Sequence, residues 1–507
     1  MKTMAQQKWM AAFGMVVAVG MGIFLSGCRS TNSIVSFPSI QNINSATTPT
    51  SSVGLPIEIN GTGFQAAPGK VTFTQGSVSM DVVPAASSWS ATGIVALVPM
   101  GNVTTNFTLP GTVSVTVTTS GGTSTAVTLN LVATVSFNPS GMTWGTTMAL
   151  PKALSGLRAV GVPGTSSTTA FAIVTGGYDI TSNANTTTVW SNNLNPDGTV
   201  GSATNTTWTT IATSPLPSTL AHHAMAEADD SNSLVASGQR YIYVIGGQVH
   251  SADTPGGTNT IYMASVNATT GVVGTWTTLT SNLPQALVGE SATVHNGYLY
   301  VAGGLFGNNN IPTSAVYSAP VNSDGTIGTW ATATNTLLTA RAFGTMFVSG
   351  GVIYYINGDP NNSGTLNAQG VGDMNVFFAS AVRGAVGVWQ LNSNLTIHDR
   401  AKGVVYNAFG QVIAAEGVYS GAVGSGEMET ASINAANMTS SALNGWSGLT
   451  GAAVPGANVY NAAGFTSPLL APTTNGPRFL LLGGQTFSGT IGVPGALSSA
   501  VYYNTAP

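Results

Sequence analysis

The chain has 507 residues, which is more than one ordinary domain, and only 6% of them are charged. The formal net charge of -4, with 12 lysines and arginines, excludes a basic surface for nucleic acid. Lysine and glutamate are scarce, whereas threonine, valine, glycine and aromatic residues are common. This balance disfavours helices and predicts an all-β protein with short strands and tight turns.

The N-terminus has the pattern of a signal peptide. Lys2 and Lys8 form a short basic segment, residues 10–24 are apolar, and Leu25-Ser-Gly-Cys28 follows directly. The apolar run is shorter than the roughly 20 residues that cross a bilayer as a helix. The order of basic, apolar and small residues therefore predicts a leader over residues 1–27, removed on export.

The segment Leu25-Ser-Gly-Cys28 resembles the lipobox of bacterial lipoproteins. The resemblance implies cleavage before Cys28 and acylation of its thiol, with the membrane as a partner. Arg29, by the same resemblance, favours the outer membrane, with the protein facing the periplasm or the cell surface. The alternative is an ordinary secretory signal with an incidental cysteine. Cys28 is the only cysteine, so the mature body holds no disulfide and no cysteine-ligated metal.

Residues 28–36 are predicted to be a polar tether, and residues 37–135 a β-sandwich. Runs such as Pro56–Asn60 and Gly111–Val117 alternate with a period of two and end at turn-forming residues. This region resembles the IPT/TIG immunoglobulin-like family, most specifically in Asn60-Gly-Thr-Gly-Phe64. The resemblance implies a spacer or an interaction surface and carries no catalytic residue with it.

Residues 138–507 contain a long repeat. Tryptophans stand at 144, 208, 276, 330, 389 and 446, and between them apolar runs end in a glycine pair or a variant of it. The pairs or variants are Gly176-Gly177, Gly246-Gly247, Gly303-Gly304, Asn357-Gly358, Glu416-Gly417 and Gly483-Gly484. Six copies with room for four strands each predict a six-bladed β-propeller.

The repeat resembles the kelch family, in which an apolar strand ends in Gly-Gly and a tryptophan follows. Trp144 precedes the first full copy, and the last copy ends near Tyr503 without a tryptophan. We therefore expect the strand around Trp144 to complete the last blade by pairing with residues 501–503, which would protect both sheet edges.

The loops after the glycine pairs are long and varied, so we expect a binding site on that face. Three arginines share a local sequence there: Arg158, Arg341 and Arg400. They are predicted to begin the innermost strands and to bind carboxylates or sugar hydroxyls through their forked donors. His222, Glu290 and Asp399 complete the candidate ligand-binding set. The alternative is that each arginine only satisfies loop carbonyls.

Catalytic signals are weak. The segment Ser323–Trp330 is similar to a sialidase box, but its aspartate and glycine are out of register, and a kelch-type copper oxidase would need a cysteine. The histidines lack metal-ligand spacing, and no phosphate-binding glycine loop occurs, so no metal and no cofactor are expected. The favoured function is a non-catalytic recognition lipoprotein that binds a glycan or a protein. The alternatives are a carbohydrate-active enzyme, sialidase-like or mutarotase-like, and a purely structural envelope component.

Overall fold

The computed structural model describes residues 36–506 apart from 45, 47, 54–55, 85–88, 100–106, 133–138, 167, 210, 230–232, 234, 237, 250–255, 308, 350, 362–371, 409, 419–427, 434–441, 450–453, 455–458, 470–476 and 487–495. The predicted signal peptide and Cys28 lie outside these residues. The described part is all-β and contains no α-helix. Within it, no helix is long and apolar enough to cross a membrane.

The N-terminal module consists of two sheets. Its strands are β1 (Ser39–Ile43), β2 (Thr50–Ser52), β3 (Pro56–Thr62), β4 (Lys70–Gln75), β5 (Val78–Val82), β6 (Gly93–Leu97), β7 (Gly111–Thr119), β8 (Gly122–Thr123) and β9 (Val127–Val132). One sheet has the order β1-β3-β6 and the other β2-β9-β7-β4-β5, with β8 beside β7. Alternate side chains of both sheets meet in one core that includes Ile57, Phe73 and Val115.

A 3₁₀ turn at Pro139–Gly141 leads into the rest of the chain. The strands that follow are β10 (Thr143–Thr146), β11 (Arg158–Pro163), β12 (Ala170–Thr175), β13 (Tyr178–Asp179), β14 (Ala184–Asn185), β15 (Val189–Leu194), β16 (Ala224–Ala228), β17 (Tyr241–Ile245), β18 (Ile261–Ser265), β19 (Thr277–Thr278), β20 (Ser291–His295), β21 (Tyr298–Ala302), β22 (Leu305–Phe306), β23 (Ile311–Pro312), β24 (Val316–Pro320), β25 (Ala331–Thr332), β26 (Thr345–Ser349), β27 (Val352–Ile356), β28 (Val376–Val382), β29 (Ala385–Val386), β30 (Gln390–Leu391), β31 (Val404–Ala408), β32 (Gln411–Ala415), β33 (Met428–Ser432), β34 (Ser447–Gly448), β35 (Val459–Tyr460), β36 (Ala463–Thr466), β37 (Phe479–Leu482), β38 (Gln485–Thr486) and β39 (Val501–Ala506).

These strands form a series of antiparallel sheets with the same internal order. Five of them are β11-β12-β15, β16-β17-β18-β19, β20-β21-β24-β25, β26-β27-β28 with β29 and β30, and β31-β32-β33-β34. The next has the order β36-β37-β39-β10, so its outermost strand comes from the other end of this region. Trp144 pairs with Asn504 and Gly145 with Tyr503. The predicted pairing of the Trp144 strand with residues 501–503 is therefore confirmed.

The first strands of these six sheets, β11, β16, β20, β26, β31 and β36, contact one another in a closed circle. Each contacts the next in this order, and β36 contacts β11 again. The apolar cores lie between neighbouring sheets; one of them joins Trp144 and Tyr502 of the last sheet to Tyr406 of the sheet before it. The first strands thus surround a common central space.

The N-terminal module packs on the turns that follow two of the first strands. Asn60 Nδ2 donates to Asn296 Oδ1 at 2.8 Å, and Glu58 Oε2 lies 3.2 Å from His295 Nε2. Glu58 is fully buried, and Asn60 and Asn296 are nearly so. The contact places the module at the far ends of the first strands, away from their beginnings.

Candidate functional site

A closed ring of backbone hydrogen bonds links the beginnings of the six first strands. Its members, each two residues before a first strand, are Gly156, His222, Gly289, Phe343, Lys402 and Asn461. The N–H of each member donates to the carbonyl of the member in the preceding sheet, at 2.7 to 3.0 Å, and Gly156 donates to Asn461 to close the ring. All six have a positive φ, between 53° and 68°.

This backbone conformation is disfavoured for side chains such as those of His222 and Phe343, and costs about 1–3 kcal/mol at such a residue. The ring offsets the cost because every member has both its N–H and its C=O satisfied. Four different side chains besides glycine occupy this position. The position therefore has no residue signature in the sequence.

The glycine pairs join neighbouring sheets just outside the ring. The second residue of each pair donates its N–H to a carbonyl of the next sheet, two residues before that sheet's ring member, at 2.8 to 3.0 Å. The donors are Gly177, Gly247, Gly304, Gly358, Gly417 and Gly484, and the acceptors are Leu220, Leu287, Arg341, Arg400, Val459 and Leu154. These bonds make a second closed circle around the same space.

The backbone geometry explains why glycine is replaced by other residues only at the first position of the pair. The first residue has a φ of 58° at Asn357 and 56° at Glu416, in the left-handed region that other residues tolerate. The second has a φ of 109° at Gly358 and 95° at Gly417, which is restricted to glycine. In some copies the first residue must also be glycine, because a large side chain of the next sheet lies too close for a Cβ. His223 beside Gly176 is an example.

A cavity of about 220 Å³ lies inside the circle of first strands. All six first strands or their ring members contribute to its wall. The polar side chains in the wall are those of Arg158, Glu290, Ser291, Thr345, Lys402 and Asn461. Of the six predicted ligand-binding residues, Arg158 and Glu290 line this cavity, and the sequence prediction missed Lys402 and Asn461.

Arg158 is the first residue of β11, as predicted, and has most of its donors free. One bond is present, from Nη1 to the carbonyl oxygen of Leu157 at 3.1 Å. The remaining guanidinium N–H groups have no hydrogen-bond partner among the described residues. Burial lowers the pKa of Arg158, and the nearby Glu290 opposes that shift. Arginine nevertheless stays protonated in proteins, so Arg158 places a positive charge with an open fork in the cavity wall.

Glu290 is 2% exposed, and one of its two carboxyl oxygens has a hydrogen-bond partner. Its Oε1 accepts the N–H of Ala224 at 3.2 Å, while Oε2 has no hydrogen-bond partner among the described residues. Burial raises the pKa of Glu290 to about 8, although two backbone N–H groups and Arg158 act in the opposite direction. At neutral pH the carboxyl is therefore mostly protonated and can donate as well as accept a hydrogen bond.

Lys402 adds a second basic group. Its Nζ lies 4.9 Å from the centre of the Phe343 ring, a distance typical of a cation–π contact. Burial lowers the pKa of Lys402 to about 7, with Asp359 acting in the opposite direction. The ammonium is thus partly neutral at pH 7, and an anion beside it would favour the charged form.

The predicted placement of Arg341 at the start of a first strand is wrong. Arg341 lies four residues before Thr345, where β26 begins, and is fully buried. It donates to both carboxylate oxygens of Asp373, at 3.0 and 3.1 Å, and to carbonyls of Thr339 and Asn357. Its guanidinium also lies over the Phe377 ring. Arg341 therefore ties loops of its own sheet together.

The placement of Arg400 is wrong for the same reason, since it lies four residues before Val404, where β31 begins. Its Nε donates to Glu429 Oε1 at 2.9 Å and its Nη1 to the carbonyl of Glu416 at 2.8 Å. The expected partner Asp399 is half-buried and is not part of the cavity wall that the structure describes. Arg341 and Arg400 thus follow the structural alternative, whereas Arg158 does not.

His222 and His223 lie close to the cavity but on different sides of the chain. The His222 ring makes an edge contact with the Phe343 ring, 5.8 Å between centres. His223 is hydrogen-bonded through Nε2 to Thr175 Oγ1 at 2.8 Å, and burial lowers its pKa well below the ordinary value. In the described part of the chain, no group of three or more histidine, cysteine or acidic side chains is placed to hold a metal ion.

Comparison with known proteins leaves the family open. No protein-family model matches the chain, and no curated protein matches it. Among solved structures, one described as "Structure of YjhT" is 14% identical and superposes with a TM-score of 0.44, covering 70% of this chain and 96% of that chain. Function must accordingly be argued from the geometry of the site.

Proposed function

We propose that this chain is a lipid-anchored envelope protein that binds a small hydroxylated carboxylate, such as an acidic sugar, in the cavity inside the first strands. The observation that carries the proposal is the open guanidinium fork of Arg158 in the cavity wall. Arg158 is partly exposed, and the donors of its fork that no described protein group accepts can bind the acceptor oxygens of a ligand in the cavity. The leader pattern before Cys28 supports export and anchoring.

The proposed architecture is a six-bladed kelch-like propeller over residues 138–507, carried on an IPT/TIG-like immunoglobulin module over residues 37–135. Three features support the propeller: six sheets of the same order, two closed circles of backbone hydrogen bonds, and the pairing of β10 with β39. The two-sheet core supports the sandwich. In this arrangement the module serves as a stalk and the propeller as a recognition head.

The polar groups of the cavity match the proposed ligand class. The Arg158 fork can hold a carboxylate through two parallel bonds, and Lys402 adds positive charge. Glu290, Asn461 and Ser291 offer groups that can bond to hydroxyls. The volume of about 220 Å³ is below the roughly 300–1,000 Å³ of sites for drug-sized ligands. The cavity therefore suits a molecule of monosaccharide size.

The number of acidic groups in the cavity favours binding over glycoside hydrolysis. Hydrolysis requires two carboxyl groups on opposite sides of the scissile bond. Glu290 is the single acidic side chain in the part of the cavity wall that the structure describes. One observation favours a second candidate, a carbohydrate-active enzyme: at neutral pH, the protonated Glu290 is a suitable general acid.

Titration calorimetry with D-glucuronate, and with D-glucose as the uncharged control, tests the proposal. We expect glucuronate to bind and glucose to bind at least tenfold more weakly. Arg158→Met should weaken glucuronate binding about 10- to 100-fold, because hydrogen bonds to charged groups contribute about 1.5–3 kcal/mol. The variant should stay close to the stability of the parent, since it removes one hydrogen bond to protein, the one to the carbonyl of Leu157.

Arg341→Met is the matched control. It should lower the free energy of unfolding by about 3–5 kcal/mol, because it leaves the carboxylate of Asp373 without its charged partner. Its effect on glucuronate affinity should be small wherever the variant is folded. Equal affinity of the Arg158→Met variant and the parent would contradict the proposed site. A turnover screen on sialosides and uronides, with Glu290→Gln as the inactive control, would reveal the enzymatic alternative.

A further inference from the structure

The exposure of the first strands changes systematically along their length. At the hydrogen-bonded ring all six residues are buried, whereas five residues further on all six are partly exposed. The partly exposed residues are Gly161, Glu227, Val294, Val348, Asn407 and Thr466. The six strands run in the same direction around the central space, so the gradient belongs to that space and not to one strand.

The beginnings of the first strands therefore form a closed end. His222 and Phe343 make ring contact across it, and Phe343 also lies directly over Gly289, where an added Cβ would come within 2.5 Å of the ring. Lys402 is 5% exposed and packs over the same Phe343 ring. The six backbone bonds hold these side chains in place, so the described residues at this end leave no direct way into the cavity.

We infer that ligands enter the cavity from the opposite end, between the far ends of the first strands. This reverses the expectation that the loops following the glycine pairs form the mouth of the site. The identity of the ligand rests on the proposed function, but the direction of access does not. Arg158 lies two residues beyond the ring member Gly156. A ligand would then reach it from the far ends of the first strands, past their partly exposed residues.

The N-terminal module stands beside this entrance. Its Asn60 bonds to Asn296, in the turn that follows β20, and Val95 lies against Gly351, in the turn that follows β26. Both turns belong to the end at which the first strands become exposed. The module consequently forms one border of the entrance, so its sequence can affect which ligands reach the cavity.

Access can be measured without any ligand, because Cys28 is the only cysteine. In a Cys28→Ala background, Thr345→Cys places a thiol in the cavity wall. Its rate of reaction with iodoacetamide reports entry of a small molecule. Adding Thr466→Trp at the exposed end should slow the reaction at least tenfold. Asn407→Trp is a second obstacle at the same end, for use if the first variant is unstable by thermal melting.

Ser314→Trp is the matched control, since Ser314 is also partly exposed but lies in a loop on the closed side. It should leave the rate within about twofold of the parent, because bulk on that side does not obstruct the route. A slower reaction with Ser314→Trp but not with Thr466→Trp or Asn407→Trp would overturn the inference. So would a Thr345→Cys thiol that does not react in the folded parent. Failure of glucuronate to bind would affect only the proposed function.

Discussion

Glu290 shows how a single side chain can couple the cavity to pH. Its carboxyl is buried, one oxygen has no partner in the described structure, and the Arg158 charge offsets the cost of burial only in part. In the unfolded chain a glutamate has an ordinary pKa of 4.5, against about 8 in the fold. The folded state therefore binds the proton more tightly, and folding is most favourable where the carboxyl is protonated.

We predict that Glu290→Gln removes this dependence. In the parent, the contribution of Glu290 is fully present below pH 4.5 and is lost as the pH rises through about 8. Glutamine keeps an oxygen for the Ala224 N–H and carries no charge at any pH. The variant should thus be more stable than the parent at pH 9, with a flatter profile of urea midpoints between pH 5 and 9.

Asp324→Asn is the control for this experiment. Asp324 is exposed, and its pKa is lowered mainly by hydrogen bonds from Thr326. Its effect on stability should be confined to acid pH and should leave the range from pH 5 to 9 unchanged. Parallel pH profiles for the parent and Glu290→Gln would show that Glu290 is not buried in the state that unfolds.

At the scale of the structural elements, the glycine pair combines two different requirements. Its first residue needs a left-handed backbone, which asparagine and glutamate supply at positions 357 and 416. Its second residue needs a φ near 100° and a close approach to the next strand. In Gly358, an added Cβ would lie 2.8 Å from the carbonyl oxygen of Ala342.

We predict that Gly358→Ala destabilises the protein by about 2 kcal/mol or more, because it adds backbone strain to a steric clash. Gly445→Ala is the matched control: a Cβ there meets nothing within 4 Å, and its φ is not positive. Its effect should stay within about 0.5 kcal/mol. Urea unfolding of both variants measures the difference, and equal effects would contradict the role assigned to the second glycine.

The elements could be predicted from the sequence more fully than the site. The glycine pairs and tryptophans recur at each sheet because every sheet needs the same link to its neighbour. The arginine placement was predicted wrongly because the local sequences are alike. Arg158 and Arg341 are each followed by alanine and then by a glycine three residues after the arginine. Arg158 nevertheless begins its first strand, whereas Arg341 lies four residues before its own. The ring members that set this register include glycine, histidine, phenylalanine, lysine and asparagine, so no sequence pattern marks them.

At the scale of the whole molecule, β10 and β39, from the two ends of the described residues 139–506, meet in one sheet. β10 supplies the outermost strand, and Trp144 enters the core that contains Tyr406, Phe479 and Tyr502. Without β10, the edge of β39 would expose unpaired backbone groups and the apolar surface beneath Trp144. Such an edge is prone to pair with another chain. The stability of the last sheet accordingly depends on a strand from the start of the repeat region.

We predict that Gly145→Pro opens this junction, because proline has no N–H to donate and cannot fit the pairing of Gly145 with Tyr503. The free energy of unfolding should fall by about 3–5 kcal/mol, because opening the junction takes Trp144 out of its core, and this is the range for removing a large aromatic side chain. Gly448→Pro is the matched control, since Gly448 is exposed in the outermost strand of the preceding sheet and closes no junction. Thermal melting and sedimentation should show a lower midpoint and more self-association for Gly145→Pro than for Gly448→Pro. Similar behaviour of the two variants would mean that β10 does not hold the last sheet closed.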